Sequence, residues 1–548
     1  MRRALSVISK TQRHLTTSNM KLISNFKDWK FLDPPSYAEL PIDENPEYKM
    51  PVAVINAVYS KVPPEPLAGN LLLVCASDDA LKNILDLDPS VAQSNEFVDF
   101  LNGKYLPEGS LTVSHRYGGY QFGYWADQLG DGRAHILGEY KNSKGELWQV
   151  QLKGSGETPY SRFGDGRAVL RSTIREMVGS EAAYYLGIPT TRAAAMVVSD
   201  TDTVMRDKMY CGRSRPEPTA IVARLAPAWY RIGSFEILHK RREPELLKKL
   251  LDHVIKYHFP YVESSQDGDK YVKFFSEVAH RNLDMVASWQ GFGFVHGVLN
   301  TDNISILGDT IDYGPYGFVG KFTVHYVPNS SDDLGRYAYN KQPDIILWNL
   351  EKLAEALSPV LTEEQFEKIT AFRSTLKDYV DNKILKTFLL KFGLSEIQHG
   401  DQTLVDDFLV MMEHTMADFT ATFRQLAEVN TSDLTDKDKL ESKWALKKLL
   451  DSRFWPNWVE RYQSRLEQEN VYEDIRKERM VKVNPIYVPR NWILQEAIAD
   501  AEKLQFDKVR FLMKLFEKPY EVNPEAEKLG YSDDPPSWSY GLKISCSS

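Results

Sequence analysis

From about residue 110 to 320 short apolar stretches alternate with Gly-rich turns, and beyond about 345 the pattern turns helical, so any fold must join a strand-rich half to a helical half. Residues 134–140 and 147–153 bracket a polar turn at 141–145 and read as a hairpin. A helix is expected over 167–186, and further strands over 191–198 and 220–225. Amphipathic segments follow around 349–357, 403–429 and 443–469. Upstream, Pro34, Pro35, Pro41, Pro46 and Pro51 punctuate a stretch that reads as an extended arm lying over a domain. At 548 residues the chain is too long for one ordinary core. The expected class is α+β.

Composition narrows the function. Residues are 43% hydrophobic and 26% charged, and no run of 18 apolar residues suggests a membrane span. Residues 1–27 carry Arg2, Arg3, Lys10, Arg13, Lys21 and Lys27 with no acid, which leaves −15 on the remainder of a chain of net charge −9. An acidic body argues against a nucleic-acid partner. The Arg-bearing, Ser/Thr-rich, acid-free start has the character of a mitochondrial transit peptide, although a plain basic tail has the same composition. Cys75, Cys211 and Cys546 have no metal-ligand spacing and suggest neither a zinc site nor a disulfide framework. Cys75 sits in an apolar run and reads as core, whereas Cys546 in the Ser-rich end is the candidate for redox chemistry.

The most informative motif is His296-Gly-Val-Leu-Asn-Thr-Asp302-Asn303, followed by Thr310-Ile-Asp312-Tyr-Gly314. Protein kinases place a catalytic Asp two residues after such a His, a metal-binding Asn five residues later, and a metal-binding Asp before a Gly. Here His and Asn keep that spacing, but position 298 is Val, which has no lone pair to accept a proton. Asp302 is the nearest replacement. Asn303 and Asp312 offer the hard oxygens that magnesium prefers, though both segments would also make ordinary turns.

Lys153 ends an alternating strand and Glu176 lies on the next helix, the pairing by which kinases hold a phosphate-contacting ammonium. Two turns flank Lys153: Gly130-Asp131-Gly132-Arg133 and Gly164-Asp165-Gly166-Arg167. Such turns let backbone amides approach phosphate and a guanidinium grip two oxygens, and they also serve as plain hairpin turns. Arg224 and Arg231 add fixed positive charge suited to a triphosphate, or are solvated arginines on a strand and turn.

On these residues the chain resembles the selenoprotein O family of protein adenylyltransferases, as a mitochondrial, cysteine-containing member. The resemblance runs from about 110 to 500 and is carried by Gln128-Leu-Gly-Asp-Gly-Arg133, Gln151-Leu-Lys-Gly-Ser-Gly-Glu-Thr-Pro-Tyr-Ser-Arg162, Gly187-Ile-Pro-Thr-Thr-Arg192, the 289–303 and 310–315 segments and Asn484-Pro-Ile-Tyr-Val-Pro-Arg-Asn491. It implies a protein-kinase-like two-lobed fold with an additional C-terminal helical region. The expected division is a transit peptide at 1–27, an arm with helices packing on the catalytic domain at 28–109, a catalytic domain at 110–345, and a helical region with a flexible tail at 346–548. It further implies transfer of AMP from ATP, with magnesium or manganese, to Ser, Thr or Tyr hydroxyls of proteins, mitochondrial redox proteins among them. Asp302 is then the proton acceptor, Asn303 and Asp312 bind metal, and Lys153 with Glu176 orients phosphates. Gly130, Gly132, Arg133, Lys153, Asp165, Gly166, Arg224, Arg231 and Asp312 would contact nucleotide, turned round relative to a kinase so that pyrophosphate leaves. The chain departs from the family at Tyr120, where a His is usual, and within 324–336, where a cysteine found in some members is missing. Cys546 stands where selenium-containing relatives have selenocysteine. Two other readings stay open on residues alone: a true kinase, and an ATP-binding pseudokinase scaffold whose helical region docks partners.

Overall fold

The computed structural model describes residues 22–45, 52–207, 212–263, 269–542 and 544–545. Cys211, Cys546 and most of the basic start lie outside these residues.

Thirteen strands are described: β1 (Ile42–Asp43), β2 (Tyr59–Lys61), β3 (Leu71–Ala76), β4 (Val113–His115), β5 (Gly118–Gln121), β6 (Tyr124–Gln128), β7 (Ala134–Lys141), β8 (Leu147–Lys153), β9 (Ala168–Val169), β10 (Arg192–Arg206), β11 (Arg215–Ala226), β12 (Phe294–Val295) and β13 (Gly317–Phe318). Nine form one sheet in the order β1-β2-β4-β7-β8-β11-β10-β3, with β9 also on β11. The pairings are antiparallel except β1 with β2. The hairpin read at 134–153 is β7–β8, and the two further strands are longer than expected, as β10 and β11.

The alternation of β8 explains its place. Trp148, Val150 and Leu152 point to one face, where Val150 and Leu152 join a core with Trp29, Phe31, Phe97 and Phe100 from the chain's start. Gln149, Gln151 and Lys153 point to the other, under helix α1 (Leu170–Leu186). That helix packs Ile174, Met177 and Val178 into the larger core and ends at Gly187, whose φ of +87° supplies the left-handed C-cap. The 28–109 stretch therefore does more than lie over a domain, because it contributes β1, β2 and β3 to the central sheet. At its head Ile23 bridges to Leu87 and Phe26 is buried against Trp29.

Below the sheet lie α2 (Ile232–Lys240), α3 (Lys270–Phe292), α4 (Gln342–Leu357) and α5 (Leu376–Lys391). The helical half has two allegiances. Residues from Leu385 to Met480 build a second core around Phe408, Phe423, Trp455, Trp458 and Tyr462, joined by Val295, Val319, Phe322 and Tyr339, whereas α6 (Asn491–Ala501) and α7 (Asp507–Phe516) return to the main core and pack on α1. Arg175 donates to Asn491 Oδ1 at 3.0 Å, and Arg510 donates to the carbonyls of Val74 and Leu73 at 2.9 and 3.1 Å. Among the described residues no helix is long and apolar enough to cross a membrane.

Candidate functional site

The polar face of β8 is the floor of the site. Register sets Gln151 beside Arg224 and Lys153 beside Val222 on β11. Lys153 Nζ lies 2.8 Å from Glu176 Oε2 on α1. Arg224 spans the same carboxylate and Asp312, at 2.8 and 2.6 Å, and Lys153 reaches Asp312 at 3.4 Å. Arg231, immediately before α2, donates to the other oxygen of Asp312 and to the Asp302 carbonyl, the latter at 2.8 Å. Lys153, Arg224 and Arg231 thus converge on one carboxylate. Burial alone would push the Asp312 carboxyl up, yet Arg231, Lys153 and Arg224 overcome it and hold the group well below the usual carboxylate range.

Asp312 takes a left-handed backbone, φ +56°, unusual for a residue with a side chain. His296 helps hold it there. Its Nε2 donates to the Ile311 carbonyl at 2.8 Å and its Nδ1 accepts from the Val298 amide at 3.3 Å, which requires the neutral ring that burial favours. Val298, which stands where a kinase has its base, also offers its carbonyl to Asn303 Nδ2 at 3.2 Å. That contact occupies the amide nitrogen of Asn303 and leaves its oxygen as the atom for a cation.

Asp302 sits in the 3₁₀ turn Thr301–Asn303. Its Oδ2 accepts from Gln121 at 3.3 Å, while Oδ1 is buried and meets no donor among the described residues. Burial pushes the carboxyl up to about 6, against the pull of Gln121 and Arg231. Gln121 belongs to the β5–β6 hairpin, which is tied to the 296–303 loop, in the position of a kinase catalytic loop (hereafter the catalytic loop), by Tyr120 N donating to Thr301 Oγ1 at 2.7 Å. At Gly119 an added Cβ would lie 2.6 Å from Asp302 Oδ1, so glycine is what lets this strand come so close. Beside the ion cluster a cavity is lined by Arg133, Lys153, Thr173, Glu176, Tyr313 and Gly314.

A buried carboxyl with an open oxygen lies next to a carboxylate ringed by cations and beside a cavity, and comparison with known proteins gives the arrangement a family. The family described as protein adenylyltransferase SelO matches residues 48–517. The chain belongs to the SelO family. Protein nucleotidyltransferase YdiU of Pseudomonas fluorescens Pf-5 is 40% identical over 495 residues, covering 90% of this chain and 96% of that protein. The same-named proteins of Azoarcus sp. BH72 and Myxococcus xanthus DK1622 are 42% and 40% identical, covering 89% of this chain and 92% and 96% of theirs. This SelO member is an enzyme of the nucleotidyltransferase class in a kinase-like α+β fold.

Of the residues singled out in the SelO sequence, Lys153, Glu176, Arg224, Arg231, Asp302, Asn303 and Asp312 come together, and Arg133 lines the adjoining cavity. Gly130 and Gly132 pack against Tyr160 and Ser161, with 2.7 Å between a Cβ built on Gly132 and the Tyr160 carbonyl. Asp131 between them is the one that reaches inward, accepting from Gln151 at 2.9 Å and from Arg231 at 3.5 Å. Asp165 and Gly166 lie on the loop between β8 and β9, with Asp165 within electrostatic reach of Arg133. Asp165 is gripped by both Arg206 amino groups at 2.6 and 2.7 Å, and Gly166 backs onto Gly156.

In the sequence Asp131, Gln121 and Gly119 figure only as parts of motifs with no role of their own, and Glu236 does not stand out at all. Glu236 on α2 is 2% exposed, and burial pushes its carboxyl up to about 8. Among the described residues no three His, Cys, Asp or Glu side chains converge as a metal cage. Asn303 and Asp312 do fit a magnesium-type ion, which takes one or two protein oxygens and completes its shell with water and phosphate.

Proposed function

We propose that this SelO enzyme transfers AMP from ATP, with magnesium or manganese, to Ser, Thr or Tyr hydroxyls of proteins. The observation that carries the reading is the pairing of Asp302, one oxygen unpartnered, with three cations gathered on Asp312. The acceptor oxygen attacks the α-phosphorus, its proton passes to Asp302 Oδ1, and the bond to the bridging oxygen breaks to release pyrophosphate. Lys153, Arg224 and Arg231 face charge that grows as that bond breaks, the kind of preorganised field that stabilises phosphoryl transition states. A divalent cation held by Asn303 and Asp312 supplies charge neutralisation on the phosphates. Glu176 keeps Lys153 and Arg224 in place.

The compartment reading rests on composition. The basic start is taken as a mitochondrial leader, with redox proteins of that compartment among the acceptors. Since Ile23 and Phe26 are built into the fold, a leader compatible with it is cut before Ile23 rather than after residue 27. Fractionation of cells expressing the tagged chain tests this, and a purely cytosolic signal would sink it.

The central test incubates the chain with magnesium or manganese and ATP labelled on either the α- or the γ-phosphate, beside an Asp312→Ala variant. Label on protein from the α-position alone, lost in the variant, is expected. Label from the γ-position alone would make the chain a kinase.

A further inference from the structure

Helix α2 touches the catalytic loop three times within two turns. Arg231 before its first residue holds the Asp302 carbonyl and Asp312. Gly233 lies against the Gly118 carbonyl so closely that no Cβ fits, and a Cβ there would be 3.4 Å from Asp302 Cα. Glu236, one turn further, accepts the Thr301 hydroxyl at 2.5 Å, and the same Thr301 oxygen accepts the Tyr120 amide at 2.7 Å. A continuous line of contacts therefore runs from Glu236 through Thr301 to the hairpin that carries Gln121.

For the fold alone, Glu236 is a poor choice. Its Oε1 is buried and has no partner among the described residues, and a buried carboxyl with half its bonding unmet destabilises a protein where an apolar side chain would not. Thr301 is likewise fully buried. Such an arrangement persists where geometry at a working site is being held.

We propose that Glu236 is a positioning residue for Asp302. By fixing Thr301, and through it the Tyr120 main chain, it sets the spacing between the β5–β6 hairpin and the catalytic loop. At that spacing Gln121 takes one carboxylate oxygen of Asp302 and leaves the other for the acceptor hydroxyl. The inference rests on the reading of Asp302 as proton acceptor.

The test uses full-length Glu236→Ala, Glu236→Gln, Thr301→Val and Thr301→Ser proteins. Transfer from α-labelled ATP to pooled Ser-, Thr- and Tyr-containing peptides is measured beside ATP affinity and melting temperature. Glu236→Ala and Thr301→Val are each expected to lower kcat about 10- to 100-fold, the scale of an ångström of misplacement, with KM for ATP within about twofold. Thr301→Ser and Glu236→Gln, which keep a hydrogen bond, should retain most activity, and the Ala/Val double variant should be little worse than either single one. An unimpaired Glu236→Ala beside an active wild type overturns the proposal, as does a loss matched by equal loss of ATP affinity. A wild type that transfers no AMP overturns the functional reading and this proposal together.

Discussion

Replacing Asp302 by Asn should cost most of the transfer and yet stabilise the protein. The folded chain holds this carboxyl at about 6, against an ordinary 3.8, because burial disfavours its charge. A group made a weaker acid by folding stabilises most below its unfolded value, and that contribution is lost as pH rises through its folded value. Each tenfold in acidity is worth about 1.4 kcal/mol. Two such factors make the ionised form cost roughly 3 kcal/mol at pH 7, and Asn avoids that cost. At about 2 cal/mol/K per residue, a single unfolding step of a chain this long converts the gain into a rise of about 3 °C. The margin should shrink to roughly 0.5 kcal/mol at pH 4, where the folded carboxyl is neutral but the unfolded one is still about half ionised, and vanish only near pH 3. Transfer should fall by about 10²- to 10⁴-fold, the usual contribution of a positioned base. In the wild type, the rate should drop roughly tenfold between pH 7 and pH 5 as the carboxyl takes up its proton. Calorimetry and AMP transfer across pH 4–8 make the measurement. An Asn variant no more stable than wild type at pH 7, or one whose advantage at pH 4 is as large as at pH 7, would refute the reasoning.

Other expectations follow from the same geometry. Gly119→Ala drives a methyl against Asp302 and should cost most of the transfer while far-UV circular dichroism stays unchanged. Arg231→Met withdraws one cation from both Asp312 and Asp131, and denaturant unfolding should report a loss of about 3–5 kcal/mol. Chelation by EDTA should stop transfer without lowering the melting temperature, since Asn303 and Asp312 are held by protein contacts, and added magnesium or manganese should restore it.

Residues with a local signature were legible in the sequence. Lys153 followed from the period of its strand, and Asn303 with Asp312 from the spacing of a loop. What remained hidden depends on contacts between distant segments. Tyr120 and Thr301 stand 181 positions apart, so nothing near Gln121 in the chain announces that it will face Asp302. Glu236 looks like any helical acid until its burial is known. Periodicity also joined 403–429 into one helix, whereas Asp401–His414 and Phe419–Glu428 are separate. Asp418 divides them by capping the second through the Ala421 amide at 2.9 Å while binding Arg490 at 2.7 and 2.8 Å. Cys75 did prove to be core, its thiol pushed up to about 12 by burial.

The return of α6 and α7 onto α1 bears on control. Kinases are commonly switched by swinging the helix that carries the glutamate partner of the lysine, which makes or breaks that ion pair. In this chain that helix is braced from outside: Arg175 is anchored to Asn491, Tyr520 donates to the Leu186 carbonyl at 3.1 Å, and α7 is fastened to the neighbouring edge strand through Arg510. Swinging this helix would have to break those contacts, which makes it a poor toggle. The Lys153–Glu176 contact is thus supported from outside the cleft, and a shortened chain ending before Asn491 should lose that support although every residue lining the cleft were still present.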